Sequence, residues 1–407
     1  MKIIITNVYC YKNKGDAGIV VSMIKSLKKT FPHSDIKIVS LYPKDDVGKY
    51  DEDVTILEPL IPKKKFKSKF ITLLYRVYYI IYKSVKYNLR LFTTDTEREI
   101  KSADLIVSCG GGYMQSHGFK KLITDYSNHY IQLLCATKTK KKFVIFAQTI
   151  GPFDRISKLI TKKIIKNAEL VLVREKRSYD YVLKNFKYKT MLLTSDAAFL
   201  LGKKTVNIDI KSNVMNVGIT AREWIYPGYY DTQKKNLEYI NSLSEFIDLI
   251  IEKYDSTIYL MPQCIGPDPD NDLIISNMIY DKVNNKEKCI VLKEDYSPEE
   301  LKYIYSKMDY FIGTRMHSNI FALSEKVPCI AISYDYKTDG IMNLFKLDQY
   351  VININNLNSK ILFSKYEQLI NDKEVKKKII TQLNVIKKSS LKNYEVLRKI
   401  MKEKRNN

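Results

Sequence analysis

The chain has 407 residues, 45% of them hydrophobic and 28% charged, the proportions of a soluble globular protein long enough for two domains with separate cores. No window approaches the ~18 uncharged apolar residues of a membrane span, and six scattered cysteines (Cys10, Cys109, Cys135, Cys264, Cys289, Cys329) without a C-x-x-C pair or a Cys/His cluster argue against zinc and disulfides. The formal charge of +23 would suit a nucleic-acid partner, but the excess is mostly lysine spread along the whole length beside heavy Ile, Asn and Tyr use, so it reads as compositional bias and no nucleic acid is expected.

The opening MKIIITNVYCYKNKGDAG has a short apolar run and no small-residue cleavage site. It reads as a first strand rather than a signal peptide, and a cytoplasmic location is expected. Short apolar runs then alternate with amphipathic segments: IIIT, GDAGIVVSMIKSLKKTF, IKIVSLY, ADLIVSCGGG, KFVIFAQTIGPF, LVLVREK and MLLTSDAAFLL. After a polar stretch near KKTVNIDIKSN the pattern restarts with VGITAREW, a helix from about Lys234 to Tyr254, STIYLMPQ, CIVLK, SPEELKYIYSK, DYFIGTR, SNIFALSEK and VPCIAISYD. Such alternation predicts an α/β protein with two Rossmann-like domains, their parallel sheets facing across a cleft. The expected boundaries are 1–205, 206–356 and a lysine-rich helical C-terminus over 357–407.

One segment departs from this alternation. Residues 62–92 begin PKKKFKSKF and continue ITLLYRVYYIIYKSVKYNLRLF, with Leu73, Val77, Ile80 and Ile81 at helical spacing. Two readings fit: a core helix with snorkelling lysines, or a helix making peripheral contact with an anionic membrane, which would put the protein at its inner face.

In open α/β sheets ligands bind beyond the carboxyl ends of the strands, where helices begin. In the first half those places hold Asn13, Gly15 and Asp16, then Gly110, Gly111 and Gly112, then Gln148 to Pro152, Arg174 and Asp196. The glycine triplet suits close backbone approach to a ligand or a tight turn. Asp16 suits a sugar hydroxyl or a cap for a helix starting at Ala17. In the second half, Arg222 follows VGIT and Arg315 follows YFIGT, with His317 two places on. Arginine forks suit carboxylate and phosphate, so a small di-anion is the expected ligand. A histidine beside such an anion can donate or accept a proton. His117, after the triplet, is a weaker candidate. Asp268, Asp270 and Asp272 in PDPDND read as a capped turn rather than a cation site.

The motifs NKGDAG, ADLIVSCGGG, FAQTIGPF, LVLVREKRSYDYV, SDAAFLL, and above all GTRMHSNIFAL with VPCIAISYDYKTDGIMNLF, resemble the polysaccharide pyruvyl transferase family over residues 1 to about 347. Ala197 stands where the pattern has proline. The resemblance implies a GT-B-like fold and transfer of pyruvate from phosphoenolpyruvate onto two hydroxyls of a sugar, closing a ketal. It implies that Arg315 and His317 bind the donor and supply the acid/base. Arg222 is expected to be the second donor arginine, Gly313 and Ser318 are expected to be substrate-binding, and a sugar or lipid-linked oligosaccharide acceptor is expected near Asp16, Gly111, Gly112 and Gln148 in the first half. No cofactor or metal is expected beyond the co-substrate phosphoenolpyruvate. Two rival readings are a GT-B glycosyltransferase using a nucleotide sugar, with Glu294 or Asp295 on the ribose, and a glycan-binding protein without catalysis.

Overall fold

A computed structural model describes residues 1–50, 53–64, 66–116, 118, 121–266 and 271–402. Their contacts form two compact units: residues 1–11, 19–200 and 389–407 make one, and residues 12–18 with 201–388 make the other.

The first unit is built on an eight-stranded parallel sheet: β1 (Lys2–Val8), β2 (Asp35–Ser40), β3 (Thr55–Leu57), β4 (Leu105–Ser108), β5 (Gly111–Ser116), β6 (Lys142–Phe153), β7 (Leu170–Val173) and β8 (Met191–Leu193). The order is β3-β2-β1-β4-β6-β7-β8, with β5 also paired to β6. The second unit carries β9 (Asn216–Thr220), β10 (Thr257–Leu260), β11 (Cys289–Val291), β12 (Tyr310–Gly313), β13 (Cys329–Ser333) and β14 (Val351–Asn353) in the order β11-β10-β9-β12-β13-β14. Both sheets are Rossmann-like. Helices cover both faces of a parallel sheet, so its strands are apolar on both sides. This is why LIVS, LVLV, TIYL and CIAIS are buried at every position.

Helix starts follow their caps. Thr94 and Glu97 form a reciprocal capping box, as do Ser297 and Glu300 with Pro298 at the first turn. All six cysteines are buried thiols.

The contacts divide the chain differently from its linear order. The passage at 200/201 lies close to the expected 205/206, but residues 357–407 are not a separate part. Their last helix, Val375–Lys402, has 28 residues and is about 42 Å long at 1.5 Å per residue. Its residues up to 388 group with the second unit and those from 389 with the first. There Ser390 Oγ and Asn393 Nδ2 donate to the carbonyls of Asp196 and Ser195.

Candidate functional site

In the second unit the strand order reverses between β9 and β12, the switch point where an open sheet leaves room for a ligand. The two strands pair in register, Thr220 opposite Gly313. Arg222 follows the first, and Arg315 and His317 follow the second. Arg315 is the residue before helix Met316–Ser324, in extended conformation, and His317 lies in the first turn.

Arg315 is buried, and its guanidinium is held by Asp272, itself almost fully buried: Nη2 lies 2.5 Å from Oδ1, and Nε lies 3.2 and 3.1 Å from the two carboxylate oxygens. Burial alone would disfavour the charge, but the Asp272 carboxylate outweighs it and raises the guanidinium pKa above its ordinary value. Asp272 also accepts the backbone N–H groups of Gln263 and Cys264, just beyond β10, at 3.1 and 2.9 Å. The Nε/Nη2 edge of the expected anion-binding fork therefore belongs to Asp272. The turn reading of that aspartate is corrected. Asn271 caps the helix by accepting from the Leu273 N–H, which leaves Asp272 to point inward. Asp268 and Asp270 lie outside the described residues, as does His117.

Arg222 is half-buried, donates from Nη1 to the Tyr334 hydroxyl at 2.9 Å and from Nε to the Glu223 carbonyl at 3.1 Å, and lies over the rings of Trp224 and Tyr334. Tyr334 begins the turn after β13. Burial raises its phenol pKa, while Arg222 and Arg315 both act to lower it. Tyr334 thus feels the charge of both arginines, and hydrogen-bonds to Arg222.

Residues 12–18 complete this face within the second unit. The Lys14 N–H donates to the Gln263 carbonyl at 3.0 Å, and its buried ammonium meets Asp295, beyond β11, at 2.5 Å. Gly15 packs directly on His317: a Cβ there would lie 2.5 Å from Nδ1 and 2.7 Å from Cγ. Three residues on, a Cβ at Gly18 would lie 2.9 Å from Phe321. The first two turns of helix Lys14–Thr30 therefore present a glycine face to the first two turns of Met316–Ser324. His317 is half-buried, with Nε2 shielded from solvent. Asp16 sits in the first turn and is not the cap, because the helix begins at Lys14 and Asn13 Oδ1 accepts the Asp16 N–H at 3.3 Å.

Other expected ligand groups turn out to be internal. Ser318 is fully buried, donates to the Arg315 carbonyl at 2.6 Å and meets the Thr220 hydroxyl at 2.8 Å. Gly313 lies under Asn319, whose side chain fills the space a Cβ would need and donates to the Gly313 carbonyl at 3.1 Å. In the first unit Gln148 is fully buried and donates to the Cys109 carbonyl at 2.7 Å, so it does not face an acceptor. Arg174 and Asp196 pair with each other in the interior, with Thr149 on the arginine Nε at 2.8 Å. Gly111 has φ +138° where the chain turns from β4 into β5, and Gly112 follows it in β5. A Cβ at Gly111 would meet nothing nearer than 4.0 Å, so its backbone conformation, not crowding, selects glycine. His129 is a core residue, stacked on Tyr113 at 4.2 Å, and burial lowers its pKa to about 3.

Lys14, Asp272 and Tyr334 are the members of this face that sequence reading missed. Lys14 had a signal, its place beside Gly15 in NKGDAG, masked by the abundance of lysine. The only sign for Asp272 was an acid directly after a capping Asn.

A family model described as polysaccharide pyruvyl transferase matches residues 13–336. The amylovoran biosynthesis protein AmsJ of Erwinia amylovora is 23% identical over 400 residues, covering 92% of this chain and 93% of that protein. Among solved structures, the UDP-GlcNAc 2-epimerase of Neisseria meningitidis bound to UDP-GlcNAc matches with a TM-score of 0.61 at 13% identity, over 98% of this chain and 100% of that one. Sucrose-phosphate synthase of Thermosynechococcus elongatus matches with a TM-score of 0.59 at 11% identity, over 99% and 100%. At these identities the structural likeness concerns the fold, which is GT-B-like.

Proposed function

The chain belongs to the polysaccharide pyruvyl transferase family and is a transferase, and from that premise we propose that it moves pyruvate from phosphoenolpyruvate onto two hydroxyls of one sugar in a cell-surface polysaccharide or its precursor. The observation that supports this reading is that Arg222 and Arg315 follow the carboxyl ends of the paired strands β9 and β12, at the switch point of the second sheet, with His317 in the first turn of the helix that Arg315 precedes. Donor carboxylate and phosphate supply the negative charge that such a cluster suits. The role of AmsJ in amylovoran biosynthesis supports a polysaccharide acceptor.

In the proposed reaction His317 gives a proton to the methylene carbon of phosphoenolpyruvate, and positive charge develops at the adjacent carbon. Arg222 and Arg315 hold the carboxylate and phosphate through this step. One sugar hydroxyl adds to that carbon and its proton returns to His317; the C–O bond to phosphate breaks, and the second hydroxyl adds, its proton leaving with phosphate. The products are the cyclic ketal and inorganic phosphate. Asp272 acts on Arg315 and not on substrate: it fixes the guanidinium so that little rotamer freedom is lost when the donor arrives. Asp16, one residue from Gly15, is the proposed partner of an acceptor hydroxyl.

The test is phosphate release from phosphoenolpyruvate in the presence of candidate acceptor saccharides, run in deuterium oxide. The reading predicts acceptor-dependent phosphate release with solvent deuterium in the ketal methyl group. Release of a nucleotide from a sugar nucleotide, with phosphoenolpyruvate inert, would replace it with the glycosyltransferase reading.

A further inference from the structure

Helix Lys69–Asn88 has two apolar faces, and the fold uses one of them. On the inner face Tyr79 and Ile80 pack on the first unit's core and Tyr87 is buried. Lys83 and Lys86 turn inward to the buried Glu97 carboxylate at 2.6 and 2.7 Å. Arg76 donates to the Thr124 carbonyl. These contacts account for the helix and for its central basic residues.

The outer face has no such explanation. Ile71, Leu74, Tyr78, Ile81 and Val85, spaced by alternate threes and fours, are 49, 52, 60, 59 and 55% exposed, and Phe70, Tyr82 and Leu89 extend the stripe on either side. Monomeric soluble proteins seldom present a contiguous apolar strip of this length to water. The charge around it is of one sign: residues 62–92 contain lysine and arginine but no aspartate or glutamate. Lys64, Lys67 and Lys69, at the amino-terminal end, and Arg90, just past the carboxyl-terminal end, are exposed. The first helical turn has no acidic residue, so lysines crowd the positive end of the helix dipole, where they are unfavourable unless an anion lies close by.

We propose that this outer face is a docking surface for an anionic lipid bilayer, with the helix lying in the plane of the interface. The apolar stripe enters the acyl boundary, the tyrosine hydroxyls stay at headgroup level, and the lysines meet lipid phosphates. Charge selects this occupant over a second copy, since pairing two such faces brings together segments that carry only positive charge. Among the described residues no helix is long and apolar enough to cross a membrane, so the contact is peripheral. It holds whichever donor the transferase uses, and it would place the enzyme where lipid-linked saccharides lie.

The test is co-sedimentation of the full chain with vesicles of phosphatidylcholine alone or mixed with phosphatidylglycerol. Wild type should pellet with the anionic vesicles, less at high salt, and not with the neutral ones. Each basic residue at such a surface contributes about fivefold in binding, so Lys64→Glu, Lys67→Glu and Lys69→Glu together should weaken binding by about a hundredfold or more. Leu74→Gln, Ile81→Gln and Val85→Gln should abolish it while leaving the circular-dichroism melt and phosphoenolpyruvate binding unchanged. Should the Gln variant fail to fold, the Glu variant, altered only at exposed positions, decides the matter. Wild-type protein that ignores anionic vesicles, or variants that pellet like wild type, would overturn the proposal. So would a wild-type dimer that the Gln variant splits into monomers while vesicles leave it intact.

Discussion

Asp272→Asn is the sharpest perturbation of the site. The carboxylate is 1% exposed, pairs with the Arg315 guanidinium through two nitrogens, and accepts two backbone N–H groups. The amide keeps one acceptor oxygen, but its NH2 must face either the guanidinium or those backbone donors. Breaking a buried ion pair from one side leaves an uncompensated charge and costs about 3–5 kcal/mol. For a unit of this size each kcal/mol lowers Tm by about 2–4 °C, so the second unit should melt about 6–20 °C lower in scanning calorimetry. Isothermal titration should show phosphoenolpyruvate binding weakened at a temperature where the variant is still folded, because Arg315 is no longer held. A variant that melts and binds like wild type would refute the view that this buried pair organises the site.

Gly15→Ala should improve helix propensity by about 1 kcal/mol in isolation. Here the added methyl meets the His317 ring, so turnover should fall, by up to about a hundredfold for a 1 Å displacement, with the fold retained by circular dichroism. His317→Ala should lower kcat by about a hundredfold or more while phosphoenolpyruvate affinity by titration changes little. A pH effect is expected away from the site. Burial raises the Asp46 carboxyl from 3.8 to about 6, against hydrogen bonds from Ser40 and Tyr11 that pull it down. A raised carboxyl pKa contributes stability that is full below about 3.8 and lost as pH rises through about 6. Asp46→Asn should therefore gain about 2–3 kcal/mol relative to wild type between about pH 4 and pH 7 in urea titrations, and a gap that does not change with pH would count against that burial.

The fold was legible because strands covered on both faces leave continuous apolar runs, and LIVS, LVLV and CIAIS are such runs. The strand β5 was not: GGYMQS is polar in part and opens on a glycine at positive φ. Arg315 and His317 stand out in the sequence by their place after a strand, but that place does not tell which way a side chain turns. Gln148, Ser318 and Gly313 hold strand-end positions and are spent on internal contacts. Lys14 was hidden among the 68 lysines and arginines, and Asp272 behind an Asn that takes the capping role it would otherwise fill. Both depend on contacts between residues far apart in the chain, which spacing alone does not report.

The central claim, that the arginines and His317 of the second unit receive phosphoenolpyruvate, is tested most directly by calorimetric titration of that compound into the wild-type protein and Arg222→Ala. Arg222 is half-buried and outside the buried Arg315–Asp272 pair, so its loss should leave the fold intact. The account predicts saturable binding to wild type that is lost or weakened at least tenfold in the variant, since a charge-assisted hydrogen bond contributes about 1.5–3 kcal/mol. Absence of binding to wild type, with a response to UDP in its place, would contradict it.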